Sequence, residues 1–209
     1  MPEKLFKTLF KFQLEGLIFG VKSFGRVLLA DEMGIGKTLQ AIAIAWYFRN
    51  DWPLLIVVPS FLKQIWRLEI LKWLYPDVTE KDIQIIETAK DRWRHKACVY
   101  ILSYDLAHKV EEDLKTLSFK CCIADEAHFL KSRDSKRSLT LLPILTQARR
   151  TILLTGTPMM NRPCELFNLL KALRPDLIRS FLDYAWRYCD PKERDWGIDN
   201  TGCSKEREL

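Results

Sequence analysis

The fold is decided by the stretch Val27-Leu28-Leu29-Ala30-Asp31-Glu32-Met33-Gly34-Ile35-Gly36-Lys37-Thr38, which leads into the mostly apolar residues 39–45. An apolar strand, a glycine turn and a helix in this order are typical of a phosphate-binding loop. Gly34 and Gly36 let backbone N–H groups turn toward phosphate oxygens, where a Cβ would clash. The sequence therefore predicts a nucleotide site at the start of a helix, whose positive N-terminal end attracts the same anion.

The polar side chains of this loop supply what a bound polyphosphate needs. We expect Lys37 to reach the β- and γ-phosphates and the Thr38 hydroxyl to ligate Mg²⁺. The strict pattern has glycine at the position of Asp31, and a structural turn without a ligand is the alternative. The predicted nucleotide-binding set consists of Asp31, Glu32, Met33, Gly34, Ile35, Gly36, Lys37 and Thr38.

Length and composition indicate a globular domain with a mild positive charge. The 209 residues are 48% hydrophobic, and the formal net charge is +6, which only weakly favours a polyanionic partner. The six cysteines show no C-x-x-C spacing and only three histidines accompany them, so we expect no zinc site and a reducing compartment. We also expect neither a signal peptide nor a membrane span.

Short apolar runs alternate with helical patterns along the chain. Because such runs read as strands buried on both faces, they predict an α/β fold, a doubly wound and mostly parallel sheet flanked by helices. The predicted strands are 54–58, 83–86, 97–102, 121–124 and 151–154, and predicted helices include 5–20, 39–45, 61–73 and 106–117. We assign residues 1–189 to one domain and the polar residues 190–209 to a loop or tail.

An acidic pair follows one of these strands, in the sequence Asp125-Glu126-Ala127-His128. Ligands of such sheets bind beyond the carboxyl ends of the strands. We therefore expect Asp125 to hold Mg²⁺, directly or through water, and Glu126 to orient and deprotonate an attacking water.

Three further features have both a functional and a structural interpretation. The Gln13 amide matches the donor and acceptor of an adenine edge, yet it is also an ordinary helix residue. The turn at residues 155–158 can relay changes at the acidic pair, or it can be only a turn. The basic residues can contact phosphates or form a solvated helix face; they are Lys131, Arg133, Lys136, Arg137, Arg149 and Arg150.

Taken in order, these motifs resemble those of superfamily-two helicase-like ATPases. The likeness rests on Phe12-Gln13-Leu14-Glu15-Gly16, residues 31–38, Ile56-Val57-Val58-Pro59-Ser60, residues 125–128 and Leu154-Thr155-Gly156-Thr157-Pro158. The Asp-Glu-Met-Gly-x-Gly-Lys-Thr form resembles the SWI/SNF-type DNA translocases. Residues 52–60, 131–133, 148–158 and 187–189 are similar to the annealing-helicase subgroup, above all to its zinc-finger Ran-binding-type branch.

This resemblance implies an ATP-driven motor with a RecA-like lobe that tracks along DNA, rewinds strands and remodels stalled forks in the nucleus. It implies that Gln13 contacts adenine, that Lys37, Asp125 and Glu126 are catalytic, and that Thr38 and Asp125 hold Mg²⁺. It also implies a role in coupling ATP to DNA for His128, Thr155, Gly156 and Thr157. The expected partners are branched or forked DNA with single-strand–double-strand junctions and, through regions outside this sequence, a replication sliding clamp.

The motifs present are those of the first of two lobes, whereas arginines of the second lobe complete the ATP site in this family. We therefore expect this chain to bind Mg·ATP weakly and to turn it over poorly. Asp-Glu-Ala-His is also the form found in RNA helicases. An RNA helicase lobe and a non-catalytic DNA- or protein-binding module remain open as alternatives.

Overall fold

The computed structural model describes residues 2–156, 162–194, 197–205 and 208. Within them, six parallel strands form one sheet in the order β1-β6-β5-β2-β4-β3. These strands are β1 (Arg26–Leu29), β2 (Leu54–Val58), β3 (Ile83–Ile85), β4 (Val99–Ser103), β5 (Cys121–Ala124) and β6 (Arg150–Leu154). The predicted parallel α/β sheet is confirmed.

Helices cover both faces of this sheet. They are α1 (Glu3–Thr8), α2 (Lys11–Lys22), α3 (Lys37–Tyr47), α4 (Lys63–Leu74), α5 (Tyr104–Ala107), α6 (Glu111–Leu117), α7 (Lys136–Gln147), α8 (Phe167–Leu173) and α9 (Phe181–Tyr188). Short 3₁₀ turns lie at Arg49–Asp51, Ser60–Leu62, Glu80–Asp82, Ala127–Leu130 and Pro163–Leu166. In the described part of the chain, no helix is both long and apolar enough to cross a bilayer.

The main core consists of two layers, one on each face of the sheet, and a small third cluster contains Phe167 and Tyr184. Alternate residues of β2 separate into them, because successive side chains of a strand point to opposite faces. Leu54, Ile56 and Val58 pack with residues of α1–α4. Leu55 and Val57 pack with residues of α5–α8. Burial on both sides explains why β2 reads as an unbroken apolar run.

Two predicted helices are wrong in extent, because each is two helices. The predicted helix 5–20 breaks at Leu9, which is extended, and α2 begins after Phe10. The Phe10 N–H donates to Gln13 Oε1 at 3.0 Å, so a side chain satisfies the amide that a continuous helix would have bonded. The predicted helix 106–117 likewise breaks between α5 and α6, near Val110.

A two-stranded antiparallel ladder lies apart from the central sheet. It is formed by β7 (Lys192–Arg194) and β8 (Gly197–Asp199), with Lys192 opposite Asp199. It falls inside the stretch expected to be a polar loop or tail. The domain boundary after residue 189 stays a prediction.

Strand order decides which turns meet at the carboxyl edge of the sheet. Because β6 lies between β1 and β5, Thr155 and Gly156, which follow β6, lie between the phosphate-binding loop and Asp125. The Thr155 N–H extends the β6–β1 ladder by donating to the Leu29 carbonyl oxygen at 3.1 Å. Three motifs that are far apart in sequence thus share one edge.

Candidate functional site

The phosphate-binding loop has the backbone geometry that the glycines predict. Gly34 and Gly36 have φ values of +85° and +81°, in the left-handed region that favours glycine. A Cβ on Gly36 would collide with Gln13 Nε2, whereas a Cβ on Gly34 would meet nothing within 4 Å. Helix α3 starts directly after Gly36. The loop is therefore a cradle lined by backbone at a helix N-terminus, which fits a polyphosphate.

Lys37 lies over this loop and makes its contacts within it. Its Nζ donates to the carbonyl oxygens of Asp31 and Glu32, at 2.7 and 2.8 Å. Both are neutral acceptors, so no carboxylate in contact neutralises the ammonium. The side chain is thus available to exchange two carbonyl contacts for anionic oxygens.

Gln13 is placed differently from an exposed helix glutamine. It is 4% exposed, and its Nε2 donates to the Ile35 carbonyl oxygen at 2.9 Å. Its Oε1 accepts the Phe10 N–H, so the amide links the start of α2 to the phosphate-binding loop. These two contacts use one N–H and one acceptor position of the amide.

Asp125 lies at the end of β5 with a fixed orientation. Its Oδ2 accepts from Trp66 Nε1 at 2.8 Å, and its Oδ1 accepts from the Glu126 N–H at 2.9 Å. Burial raises the pKa of Asp125, although these two hydrogen bonds and the charge of Lys37 favour the ionised form. Two neutral donors thus orient the carboxylate at the carboxyl edge of the sheet.

Glu126 occupies a strained backbone position next to Asp125. Its φ is +52°, which costs a non-glycine residue about 1–2 kcal/mol. Such strain persists where the surrounding structure enforces it, and it is often found at functional sites. The turn directs the Glu126 side chain toward His128, with 3.1 Å between Oε2 and Nδ1.

His128 joins the acidic pair to the segment after β6. Its Nδ1 also lies 3.4 Å from Thr155 Oγ1, and Thr155 is buried. Gly156 lies next to the phosphate-binding loop, because a Cβ added to Gly156 would be 2.9 Å from Met33 Cγ. The predicted coupling residues His128, Thr155 and Gly156 are thus contiguous with both motifs, while Thr157 lies outside the described residues.

The donor set fits Mg²⁺, although the described residues contain no cluster of three or more His, Cys, Asp or Glu side chains suited to a metal. Mg²⁺ in nucleotide sites is held by one or two protein oxygens together with phosphates and water. Thr38 at the start of α3 and Asp125 at the end of β5 supply two oxygens of the required kind.

The predicted basic region is divided between two edges of the sheet. Arg149 and Arg150 lie at the amino end of β6, where their guanidinium groups pair with Asp51 at 3.2 and 2.9 Å. Arg150 also stacks on Phe48 at 4.2 Å. Both arginines thus pair with an acidic side chain at the amino edge of the sheet, opposite the carboxyl edge. The other basic residues follow the acidic pair, and there Arg133 stacks on Phe181 at 3.6 Å.

Two residues at the site were not predicted from sequence to act there. Trp66 reads as core and is 1% exposed, yet its indole N–H holds Asp125. The Tyr104 hydroxyl donates to the Asp125 carbonyl oxygen at 2.7 Å. Only their positions in the sequence point to the site. Trp66 lies near the start of α4, in the connection that follows β2, and Tyr104 directly follows β4, so both lie at the carboxyl edge of the sheet.

Comparison with known proteins agrees with this architecture. The family model of the SNF2-related domain matches residues 12–206. The chain is similar to the Sulfolobus solfataricus SWI2/SNF2 ATPase core in complex with dsDNA, with a TM-score of 0.75 and 24% identity over 91% of this chain and 41% of that chain. The likeness shows the RecA-like fold of a SWI2/SNF2 ATPase core.

Curated relatives match across the whole chain. It is 45% identical over 209 residues to the SWI/SNF-related matrix-associated actin-dependent regulator of chromatin subfamily A-like protein 1 of Bos taurus, covering 100% of this chain and 22% of the relative. It is 45% identical over 218 residues to the DNA annealing helicase and endonuclease ZRANB3 of Homo sapiens, covering 100% of this chain and 20% of the relative. The chain thus spans about a fifth of the length of these relatives. It belongs to the SNF2-related domain family.

Proposed function

We propose that this member of the SNF2-related domain family is the ATP-binding lobe of a DNA-dependent ATPase that translocates on DNA and rewinds or remodels branched DNA. The observation that carries the proposal is the meeting of the phosphate-binding loop, the acidic pair and the Thr155 segment at one sheet edge. The names of its relatives, a DNA annealing helicase and a regulator of chromatin, support DNA as the partner.

In this proposal, the loop 31–38 surrounds the phosphates of ATP, and Lys37 moves from its carbonyl contacts to the β- and γ-phosphates. Gln13 uses its remaining donor and acceptor for adenine. Thr38 and Asp125 would hold Mg²⁺, which neutralises phosphate charge when bound. Glu126 orients the attacking water and takes its proton, leaving its contact with His128 to do so.

Coupling to DNA runs through the segment after β6. His128 is close to both Glu126 and Thr155, so a change in the Glu126 contact alters the neighbours of Thr155. We propose the same role for Gly156 and Thr157. The proposal for the whole protein goes further. It includes a preference for forks or junctions, action in the nucleus, a second RecA-like lobe that completes the ATP site, and a sliding clamp bound by other regions.

Titration of the chain with a fluorescent ATP analogue and Mg²⁺ tests the site. We expect saturable binding that is weak, and about 100-fold weaker or lost in Lys37→Ala, because a charge-assisted hydrogen bond contributes about 1.5–3 kcal/mol and Lys37 would make two to the phosphates. Lys115→Ala is the matched control, since Lys115 is an exposed lysine paired with Glu111 on α6. Equal binding by the parent and Lys37→Ala would refute the assignment.

Binding measurements on the same chain distinguish the proposed function from the two other candidates. An RNA helicase lobe is favoured only by the Asp125-Glu126-Ala127-His128 sequence, and it predicts tighter binding of duplex RNA than of forked DNA. A non-catalytic module predicts that DNA binds while the ATP analogue does not. Fluorescence anisotropy with labelled forked DNA and duplex RNA separates these outcomes, and we expect preference for the fork.

A further inference from the structure

Two buried aromatic side chains converge on Asp125 from different helices. Trp66 of α4 and Tyr104 of α5 are each 1% exposed. The Trp66 indole N–H donates to Asp125 Oδ2 at 2.8 Å, and the Tyr104 hydroxyl donates to the Asp125 carbonyl oxygen at 2.7 Å. One contact fixes the carboxylate and the other fixes the backbone that carries it.

The Trp66 contact orients the carboxylate without competing for a cation. An indole N–H is a donor only, so it can neither ligate a metal nor displace one. It is also neutral, whereas a lysine or arginine in its place would repel a bound cation. Since each carboxylate oxygen has more than one acceptor position, Oδ2 can accept from Trp66 and still face a metal or a metal-bound water.

Both donors are anchored more firmly than a surface residue could be. Trp66 packs in the core layer with α3 and β2, and Tyr104 packs in the layer on the opposite face. The Tyr104 ring also stacks on Phe129 at 5.3 Å, next to the acidic pair. Asp125 is thus held from both faces of the sheet, which is the support that ligating carboxylates typically receive.

We propose that Trp66 is a positioning residue for the metal-ligating carboxylate of Asp125, and that Tyr104 supports it by holding the Asp125 backbone. This inference rests on the proposed function, because it requires that Asp125 hold the Mg²⁺ of Mg·ATP. It assigns a function to a tryptophan whose sequence position indicates only core packing.

The test measures how Mg²⁺ concentration controls binding of a fluorescent ATP analogue by the full chain. Trp66→Phe keeps the aromatic packing and removes the donor. We expect it to raise the Mg²⁺ concentration for half-maximal binding about 10-fold, as loss of a supporting contact does at other metal sites. Binding of the analogue in EDTA should not change. Tyr104→Phe should raise the same concentration about 3-fold, because it acts through the backbone.

Trp73→Phe is the matched control on the same helix. Trp73 is 8% exposed and its indole N–H donates to Glu69 Oε2 at 2.7 Å, away from Asp125. We expect it to leave the Mg²⁺ dependence unchanged. An equal shift in Trp66→Phe and Trp73→Phe, or no shift in Trp66→Phe, overturns the inference. If circular dichroism shows Trp66→Phe unfolded, Tyr104→Phe decides, and an unchanged Mg²⁺ dependence there overturns it.

Asp125→Asn separates this inference from the proposed function. Loss of Mg²⁺ dependence in Asp125→Asn together with parental behaviour of Trp66→Phe refutes only the positioning role. Parental Mg²⁺ dependence in Asp125→Asn refutes the metal assignment, and with it the inference. Absence of any Mg²⁺-dependent binding by the parent chain refutes both.

Discussion

Two groups of charged side chains, at opposite edges of the central sheet, have opposite kinds of partner. At the amino edge, Asp51 is paired with both Arg149 and Arg150, and each guanidinium has a carboxylate partner. At the carboxyl edge, Lys37 contacts only carbonyl oxygens and Asp125 only neutral donors. Asp51 is thus neutralised by groups of the protein, whereas Lys37 and Asp125 have no oppositely charged contact among the described residues and are left for a ligand to neutralise.

The pKa shifts follow the same division. Burial opposes ionisation of both aspartates. At Asp51 the hydrogen bonds and charges of Arg150 and Arg149 outweigh it, so the pKa is lowered. At Asp125 burial prevails, so the pKa is raised. Strain does not distinguish the edges, because Phe24 at the amino edge and Glu126 at the carboxyl edge have φ values of +53° and +52°.

The largest expected effect is at the carboxyl edge and concerns binding. Gly36→Ala should weaken binding of a fluorescent ATP analogue about 100-fold, because positive φ costs about 1–2 kcal/mol and displacement of Gln13 loses a further hydrogen bond. Gly34→Ala has the same strain without the collision, so we expect about a 10-fold loss. Equal losses in the two variants would show that Gln13 does not support the loop.

The counterpart at the amino edge concerns stability. Asp51→Ala should lower the free energy of unfolding by about 2 kcal/mol, because two charge-assisted hydrogen bonds are lost in a partly buried setting. Thermal melting should show this as a fall of about 6 °C, with nucleotide affinity unchanged. Asp176→Ala removes an exposed pairing with Arg174 and should melt like the parent. Weaker nucleotide binding by Asp51→Ala would contradict the division between stability at the amino edge and binding at the carboxyl edge.

Acid should abolish the stabilisation by Asp51. Because its pKa is lower in the folded chain, the contribution is complete above the unfolded value near 3.8 and disappears as the pH falls through the folded value. The difference in melting temperature between the parent and Asp51→Ala should stay constant from about pH 7 to pH 5 and shrink below about pH 4. A difference that persists at the lowest pH would mean that lost packing, rather than charge, destabilises the variant.

The smallest effect tests strain that has no role at the site. Phe24→Gly should raise the free energy of unfolding by about 0.5–1 kcal/mol, because relief of the positive φ exceeds the entropy cost of glycine. Phe24 is 73% exposed, so little packing is lost with its ring. Phe24→Ala keeps the strain and should melt like the parent. Stabilisation by both variants would assign the effect to the exposed ring.

Several parts of the fold are predictable because their signals are local. Alternation and apolar runs report burial within a few residues, which is why the strands at β2 and β5 and the loop before α3 match the prediction. Signals for helix ends are weaker. The break between α1 and α2 depends on a bond from Phe10 to the Gln13 side chain, and nothing in the apolar spacing of residues 5–20 indicates it.

The sequence by itself determined the phosphate-binding loop, the acidic pair and the parallel sheet, since each is encoded in a short run of residues. Only the tertiary structure decided that β6 lies between β1 and β5, that Trp66 holds Asp125 and that Arg149 and Arg150 pair with Asp51. The side-chain contacts of Trp66 and of the two arginines join residues 59 to 99 positions apart. They depend on which apolar faces pack together, and that is a property of the whole chain rather than of any segment.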